Sequence, residues 1–462
     1  ADIYPLAPLQ EGIFFHHLMN AGGDDVYVLP TVLTFDSRDR LDAFLGALQQ
    51  VIDRHDVLRT AVLWEGLSEP VQVVARHAVL PVELVELDGS GDDPVEQLRA
   101  ACRPSMDLTS APLLRGHIAA EPGGERWLLL VQQHHLVIDH TALEVLLTEI
   151  RAVLDGEQDR LPAPKPYRDF VAQARLGVSG EEHERFFAGL LREVTEPTGP
   201  FGQLDVRGDA DGVAEARLAV AAGLGGRVRE QARRLGVSAA AVFHVAWARV
   251  VAATSNRDDV VFGTVLFGRM SSGDRVPGLF INTLPVRVET AGVGVEEALL
   301  AMRGQLADLL VHEHAPLALA QKASGIGGSA PLFTALLNYR HGQGAGLEEA
   351  PETGLLGVEV THVYERTNYP LTMSVDDFDN GFALTVQAVA PIDAELVCGL
   401  VHTALEGLVT ALETAPEAAL EQVEVLGDVE RRRVLGEWND TAREVPFGTL
   451  PGLFEAQVAR TP

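Results

Sequence analysis

The hydrophobic positions of this chain alternate between strand-like runs and helical stripes over most of its length. Residues 127–131 are a continuous apolar run of the kind that forms a buried strand. A stripe at helical spacing follows, made of Leu143, Leu146, Leu147, Ile150 and Leu154. Thr141 and Glu144 stand in the S/T-x-x-E relation of a capping box, which marks a helix start. The pattern therefore predicts a strand that passes through a short loop into a capped helix.

The loop between this strand and this helix carries the most concentrated candidate chemistry. His134 and His135 are adjacent, and Asp139 follows the second histidine by four positions. Neutral imidazole can accept a proton near neutral pH because its reference pKa is about 6.5. A buried carboxylate needs a cationic partner or several donors to stay ionised. Because such a junction presents polar groups on a rigid scaffold, it predicts a site with an acyl-transfer base.

Two other interpretations of the histidine pair stay open at this point. A His-His pair alone is as compatible with a structural role as with a functional one, and His16-His17 is a second pair without an acidic residue four positions on. The rival chemistry is a metal site made of His134, His135, Asp139 and His140. That site is disfavoured, because adjacent strand residues point to opposite faces and cannot easily bind one ion.

The two halves of the chain resemble each other. Residues 131–139 precede a predicted long helix, and residues 386–393 have a similar pattern before a second predicted helix, 394–412. The second copy is one residue shorter and lacks both imidazoles. The similarity predicts a duplicated α/β fold with one surviving catalytic loop, although chance similarity over so short a stretch is the alternative.

Composition narrows the possible partners and compartment. A chain of 462 residues predicts about two to three domains. Its net charge of −30 argues against a nucleic-acid-binding surface or an anionic-membrane partner. Cys102 and Cys398 lie far apart in sequence, which favours a reducing compartment, and no membrane span or signal peptide is recognisable. We therefore expect a cytoplasmic location. The chain opens without a methionine and looks excised from something longer.

Six motifs occur in the order in which they stand in condensation domains of nonribosomal peptide synthetases. They are residues 8–15 (PLQEGIFF), 54–60 (RHDVLRT), 134–139 (HHLVID), 167–170 (YRDF), 278–283 (GLFINT) and 366–371 (RTNYPL). Each motif alone is weak, but together they span nearly the whole chain. The sequence resembles this family, which belongs to the chloramphenicol-acetyltransferase-like superfamily.

The resemblance implies an α/β fold of two chloramphenicol-acetyltransferase-like lobes in a V-shaped pseudo-dimer, with the active site in a channel between them. The predicted ranges are 1–175 for the first lobe, which carries the His-His-x-x-x-Asp loop, and 176–430 for the second. Residues 431–462 are predicted to be a linker and the start of an adenylation domain, because residues 438–441 and 453–462 resemble that domain's beginning.

The implied reaction is peptide-bond formation by aminolysis of a carrier-bound thioester. His135 is the predicted catalytic residue, which positions the attacking amine and manages its proton. The resemblance also implies that Asp139 forms a buried ion pair with Arg287 that fixes the loop. We expect a structural role for His134.

Two further residues are candidates for supporting roles. Asn368 matches a motif position that could orient a carbonyl or amide group. Arg59 either braces the active-site loop or caps local structure. We expect no metal and no intrinsic cofactor.

The resemblance also implies the partners. Phosphopantetheine arms of an upstream donor and a downstream acceptor peptidyl carrier protein would deliver the substrates, next to an adjoining adenylation domain. His140, where many relatives have Gly, and the opening motif resemble the subgroup that takes D-configured donors. The alternatives are a catalytically silent recruitment module on the same scaffold and a coenzyme A-dependent acyltransferase.

Overall fold

Two lobes, each built on its own β-sheet, make up the described part of the chain. The structure is a computed structural model. It describes residues 2–19, 25–89, 93–204, 213–268, 276–327, 330–341, 355, 357–363, 369–378, 380–443 and 448–461. The apolar and polar alternation seen in the sequence corresponds to strands whose buried faces pack against helices of the same lobe.

The elements of the first half follow the predicted alternation. The strands are β1 (Asp2–Pro5), β2 (Val28–Phe35), β3 (Thr60–Leu63), β4 (Val71–Val74), β5 (Val82–Leu84), β6 (Leu114–Ala120) and β7 (Trp127–His134). The helices are α1 (Pro8–Met19), α2 (Arg38–Arg54), α3 (Pro94–Ala101), α4 (His140–Leu154), α5 (Tyr167–Leu176) and α6 (Gly180–Leu191).

The second half repeats the alternation with longer elements. The strands are β8 (Val213–Val220), β9 (Asp259–Phe267), β10 (Ile281–Glu289), β11 (Ala335–His341), β12 (Val358–Val363), β13 (Leu371–Phe378) and β14 (Gly381–Val389). The helices are α7 (Ala222–Leu235), α8 (Ala239–Ser255), α9 (Val295–Val311), α10 (Leu317–Ala323), α11 (Ala394–Thr414), α12 (Asp428–Arg432) and α13 (Leu450–Arg460).

The two main sheets have corresponding strand orders. The first sheet runs β12-β2-β7-β6-β5, and the second runs β8-β14-β13-β11-β9-β10. In both, the first lobe-specific strand pairs antiparallel with the strand that leads to the long helix, β2 with β7 and β8 with β14. The strand that leads to the long helix pairs antiparallel with its other neighbour, β7 with β6 and β14 with β13. That neighbour pairs parallel with the next strand, β6 with β5 and β13 with β11. The topology confirms the predicted duplication.

The long helices that follow β7 and β14 begin in the same way in both copies. Asp139 is the N-cap of α4, and its Oδ1 accepts a hydrogen bond of 2.8 Å from Ala142 N. Asp393 is the N-cap of α11, and its Oδ1 accepts bonds from two backbone N–H groups of the first turn. The predicted capping box at Thr141 and Glu144 is therefore wrong. Asp139 caps instead, because its short carboxylate reaches the first-turn N–H groups that have no partner within the helix.

Two segments of the second half of the chain pack in the first lobe. In the second half, Val276, Leu279 and Phe280 pack in the core of the first lobe. Strand β12 leaves the second lobe's sequence to pair antiparallel with β2 at the edge of the first sheet. The predicted ranges 1–175 and 176–430 did not assign these two segments to the first lobe. Both ranges stay a prediction, and so does the start of an adenylation domain at 431–462.

Helix α11 is apolar enough to meet the length and composition of a membrane span, with a mean hydropathy of 1.4 over its most apolar window. The bent pair α7–α8 would meet the same test if counted as one span. Ten residues of α11, including Val401, Leu405 and Leu408, are buried in the core of the second lobe. This burial is the property of a core helix in a globular protein.

A buried histidine makes the second lobe sensitive to acid. His244 on α8 lies against β9, with its Nδ1–H donating to Ala240 O at 2.7 Å and its Nε2 accepting from Thr264 Oγ1 at 2.8 Å. Burial lowers the pKa of His244 to about 4. The folded state holds the neutral form of His244. Its contribution to the unfolding free energy is therefore complete above the unfolded pKa of about 6.5 and is lost as the pH falls from that value toward the folded pKa.

We expect this histidine alone to remove about 2 kcal/mol of unfolding free energy between pH 7.5 and pH 5. The measurement is urea denaturation at both pH values for the wild type and for His244→Gln, which cannot titrate. The variant is expected to lose less stability on acidification than the wild type. Equal losses in both proteins would show that His244 does not contribute to the acid sensitivity.

Candidate active site

A cavity of about 650 Å³ lies between the two lobes. Helix α1 supplies an apolar wall that includes Leu9, Ile13 and Phe15, and the loop after β7 supplies His135. The second lobe contributes residues of β9, β10, α10, β11, β13 and β14. The cavity therefore lies in the predicted place, where groups from both lobes meet.

His135 presents one ring nitrogen for chemistry. Its Nδ1 lies 2.7 Å from Ile138 O, and because a carbonyl oxygen can only accept, Nδ1 carries the proton. Nε2 is then the basic atom, and within the described residues it has no hydrogen-bond partner. The backbone N–H of His135 donates to Tyr27 O at 2.8 Å, which ties the loop to the start of β2. The half-buried ring lines the cavity, so it can accept a proton from a bound group.

His134 points away from the cavity into a buried network. Its Nε2 lies 3.2 Å from Asp25 Oδ2, and the same carboxylate oxygen lies 2.6 Å from His17 Nδ1. Burial by itself would raise the pKa of Asp25, but the hydrogen bonds from His134 and His17 hold it well below its usual range. Burial also lowers the pKa of His134, against the opposing effect of Asp25. His134 is therefore buried away from the cavity, and its structural role stays a prediction.

The same three side chains form a group whose possible ligand atoms all lie within 4.8 Å of one another, which is close enough for a metal site. His134 Nδ1 accepts the backbone N–H of Leu136 at 3.1 Å, so Nε2 must keep its proton in the neutral ring. A metal-binding histidine has the opposite arrangement, in which the distal nitrogen donates. This group therefore fits a hydrogen-bonded network better than a metal site.

The sequence also suggested a rival metal site made of His134, His135, Asp139 and His140. In the structure His134 is buried and His135 lines the cavity, so the two rings point apart as expected. The side chain of His140 lies outside the described part of the chain.

Asp139 links the two lobes. Besides capping α4, its Oδ2 accepts a 3.1 Å hydrogen bond from Phe280 N, which belongs to the segment that crosses from the second lobe. The crossing segment is also held by Tyr167, whose hydroxyl donates to Leu279 O at 2.5 Å. Gly278 has a φ of 149°, and a Cβ there would lie 2.7 Å from the Tyr167 ring. Three of the six motifs thus meet at one junction beneath the active-site loop.

The predicted ion pair between Asp139 and Arg287 is wrong. Arg287 lies six residues along β10 from its start at Ile281, about 20 Å at the usual rise per residue. Its guanidinium instead makes two 2.9 Å hydrogen bonds to Asp259 and donates to Leu190 O. Arg287 therefore braces the edge pair β9–β10 against the end of α6, away from the cavity.

Asn282 in the same motif holds a wall of the cavity in place. Its Nδ2 donates to Glu313 O at 2.7 Å and to Ala315 O at 2.8 Å, while its Oδ1 accepts Thr283 N. These bonds attach the turn before α10 to the start of β10. Asn282 is buried, and its hydrogen bonds fix the position of a segment that forms one wall of the cavity.

The remaining two predicted residues have different outcomes. Arg59 donates to the carbonyl oxygens of Ala75 and Arg76 beside β4, which favours the local cap among its two predicted roles. Asn368 lies outside the described residues. Asp25 was not predicted, because its contact with His134 spans 109 positions and no local pattern pairs them.

The sequence model of the condensation-domain family matches residues 1–435 of the chain. The chain belongs to this family. A region of malpinin synthetase from Mortierella alpina is 48% identical to this condensation domain over 470 aligned positions, which cover 100% of the chain and 6% of that protein. A region of malpibaldin synthetase from the same organism is 44% identical over 471 positions, 100% of the chain and 8% of that protein. The condensation domain therefore spans only a small part of these curated relatives.

Solved structures share the fold of this condensation domain. The first condensation domain of the CDA synthetase superposes with a TM-score of 0.69 at 18% identity, covering 92% of this chain and 100% of that one. The X-domain from teicoplanin biosynthesis superposes with a TM-score of 0.72 at 18% identity, covering 91% and 97%. Both likenesses confirm the predicted α/β fold of two lobes.

Proposed function

We propose that this domain forms a peptide bond by aminolysis of a carrier-bound aminoacyl or peptidyl thioester by the amine of a second carrier-bound aminoacyl group. The observation that carries the proposal is His135, whose ring lines the cavity between the lobes and whose Nε2 has no partner among the described residues. Membership of the condensation-domain family supports the reaction class. The two relatives are named as synthetases, which supports a bond-forming biosynthetic step.

The step needs no enzyme nucleophile. The acceptor nitrogen attacks the thioester carbonyl carbon, the C–N bond forms as the C–S bond breaks, and the sulfur leaves as a thiolate that takes up a proton. The proton lost by nitrogen passes to His135 Nε2, and His135 then gives a proton to the departing thiolate, which returns the ring to its neutral form. An α-amine with a pKa of about 8 is already about 10% neutral at pH 7, so its prior deprotonation costs only about 1.4 kcal/mol.

Positioning supplies most of the acceleration. Holding two tethered groups in line can lower the barrier by about 7–11 kcal/mol. A positioned base accelerates a reaction by about 10²–10⁴-fold, which corresponds to only about 3–5 kcal/mol. The Nδ1–H bond to Ile138 O fixes both the tautomer and the ring orientation of His135. His135 is therefore well placed to orient the amine and to take its proton in the same contact.

The proposal includes the delivery of both substrates by carrier proteins. Phosphopantetheine arms of an upstream donor and a downstream acceptor carrier protein would reach the cavity from its two sides, and an adenylation domain would be an adjoining partner. We propose no intrinsic cofactor and a cytoplasmic location. The catalytically silent recruitment module and the coenzyme A-dependent acyltransferase remain the alternatives, and the intact, cavity-lining His135 favours catalysis over the first.

The test loads two carrier proteins with a panel of aminoacyl-phosphopantetheine groups and follows dipeptidyl thioester by mass spectrometry. We expect product only when both carriers are loaded and the domain is present. Equal turnover of a coenzyme A thioester in place of the donor carrier would favour the acyltransferase. A folded domain that yields no product with any pair would favour the recruitment module.

We also propose that the donor ends in a D-configured residue. The support is the opening motif around Pro8 and the presence of His140 after Asp139. The same assay with donors that differ only in the configuration of their last residue is expected to favour the D form by about 10-fold or more, the effect of a contact energy near 1.4 kcal/mol. A preference for the L form would reject this assignment and leave the condensation reaction untouched.

A further inference from the structure

A side chain from outside the active-site loop holds the backbone next to His135. Gln10 Nε2 donates to Leu136 O at 2.8 Å, so the carbonyl group of the residue after His135 is fixed from α1. The other side of His135 is fixed from the segment before β2, because its backbone N–H donates to Tyr27 O at 2.8 Å. The backbone on both sides of His135 is therefore attached to neighbouring elements.

The amide of Gln10 uses all of its hydrogen-bonding groups. Its Nε2 also donates to Gln72 Oε1 at 3.0 Å, and its Oε1 accepts hydrogen bonds from Ala7 N at 2.8 Å and from Gln72 Nε2 at 3.0 Å. A primary amide has two N–H donors and an oxygen with two lone pairs, and each has a partner here. The orientation of the amide is fixed, because Leu136 O can only accept and Ala7 N can only donate.

The local fold explains why the side chain of Gln10 turns inward. Gln10 is the third residue of α1, and a glutamine at this position reaches back to the N–H group at the helix start, as in a capping box. Gln72 on β4 is held in turn, because its Nε2 donates to Pro5 O at 3.1 Å. Both glutamines are buried, with 1% and 0% of their surface exposed. The pair is therefore a rigid support for the loop.

This support acts on the part of the loop that fixes the His135 ring. Along the chain, Leu136 O lies between the anchored N–H of His135 and Ile138 O, which accepts the Nδ1–H bond at 2.7 Å. A shift of the peptide group after Leu136 would move Ile138 O as well, since peptide groups are planar and only two soft dihedrals per residue separate them. Without that acceptor, the proton of the neutral ring would no longer be held on Nδ1, and Nε2 would no longer be kept as the basic atom.

We infer that Gln10 is a positioning residue: by holding Leu136 O, it keeps His135 Nε2 in the place and the tautomer that the reaction needs. Gln10 does not line the cavity, whereas Leu9 and Ile13 of the same helix do. Gln10 therefore acts on the rate through His135 and not by contact with a substrate. This inference rests on the proposed condensation function.

The test replaces Gln10 by methionine, which has a similar length and no N–H donor in its side chain. The assay is dipeptidyl thioester formation with both loaded carrier proteins in excess, so that kcat and KM are measured separately. We expect Gln10→Met to lower kcat by about 10–100-fold, because displacement of a catalytic group by about 1 Å can cost about 10²-fold. We expect KM for each loaded carrier to stay close to the wild-type value, since Gln10 is buried and lies outside the cavity lining.

A double substitution separates positioning from a general loss of structure. In the His135→Ala background the imidazole is already absent, so Gln10→Met should lower the remaining rate by no more than about 2-fold, as expected of residues that act as one unit. A role that does not depend on His135 would lower the rate by the same factor in both backgrounds. Gln10→Asn keeps the amide but is one methylene shorter, and it is expected to show the same loss of kcat if Gln10→Met does not fold.

The matched control for stability is Gln132 on β7. This glutamine is also buried and lies outside the cavity lining, its Nε2 donates to Arg103 O at 2.9 Å, and its Oε1 lies 3.1 Å from His117 Nε2. Gln132→Met should therefore lower the melting temperature and keep kcat.

Three results would each overturn the inference. They are an unchanged kcat in Gln10→Met, an equal loss of kcat in Gln132→Met, and an undiminished effect of Gln10→Met in the His135→Ala background. Failure of the wild type with every pair of loaded carriers would instead reject the condensation reaction itself.

Discussion

Replacement of His135 by alanine is expected to lower the rate of condensation by about 10²–10⁴-fold, the contribution of a positioned base. This loss corresponds to about 3–5 kcal/mol of transition-state stabilisation. The folded state should change little, because the half-buried ring makes a single side-chain hydrogen bond within the described residues, to Ile138 O. The measurement is single-turnover dipeptidyl thioester formation beside thermal unfolding of the same preparation.

The adjacent histidine provides the matched control. His134 is fully buried, and its loss would remove one partner of the Asp25 carboxylate, which keeps His17 and Tyr27 N, and would leave the Leu136 N–H without its acceptor. His134→Ala is therefore expected to lower the unfolding free energy by about 2–4 kcal/mol, the effect of a broken buried network. If His134→Ala instead lost most of its rate at an unchanged melting temperature, the roles of the two imidazoles would be reversed. Wild-type activity in His135→Ala would remove His135 from the mechanism.

The opposite orientations of the two histidines could be predicted because they depend on local structure. Adjacent residues at the end of a strand point to opposite faces, so one of the pair had to face the core. The partners of the buried histidine could not be predicted in the same way. His17 lies on α1 and Asp25 lies just before β2, so both meet His134 only in the folded molecule, and no local spacing encodes these contacts.

The duplication is also visible in the sequence because each copy preserves the apolar strand, the aspartate and the helix. Gly381–Val389 and Trp127–His134 occupy equivalent places in the two sheets, and Asp393 and Asp139 cap equivalent helices. The exchange of β12 into the first sheet was not predicted. Edge pairing is decided by which unpaired strand edge is available in the folded molecule, and this choice leaves little local signal.

The error over Arg287 has a physical cause that bears on the role of Asp139. A motif match identifies the type of a residue at a position. Whether that residue forms an ion pair depends on its distance from the partner in the folded structure. Arg287 lies too far along β10 to reach Asp139, and its guanidinium is hydrogen-bonded to Asp259. The carboxylate of Asp139 is instead engaged by the backbone, at Ala142 N and Phe280 N, and so it joins the active-site helix to the segment that crosses between the lobes.

Replacement of Asp139 by alanine is accordingly expected to affect both stability and rate. Loss of a helix cap costs about 1 kcal/mol, and a buried N–H left without an acceptor costs about 1–3 kcal/mol. We expect the unfolding free energy to fall by about 2–4 kcal/mol in total. The rate should fall by about 10–100-fold, because small displacements of a catalytic group are costly and the cap lies four residues after His135.

The duplicated fold offers a control for this last variant. Asp393 caps α11 through two backbone N–H groups, but it is exposed and lies outside the cavity lining. Asp393→Ala should therefore lose about 1 kcal/mol of stability, the value of a cap alone, and keep its rate of condensation. If both variants lost the same stability and neither lost rate, Asp139 would be only a helix cap. A rate loss confined to Asp139→Ala would instead support its role in joining the lobes beneath the active-site loop, because the two substitutions remove the same chemical group from the same position of equivalent helices.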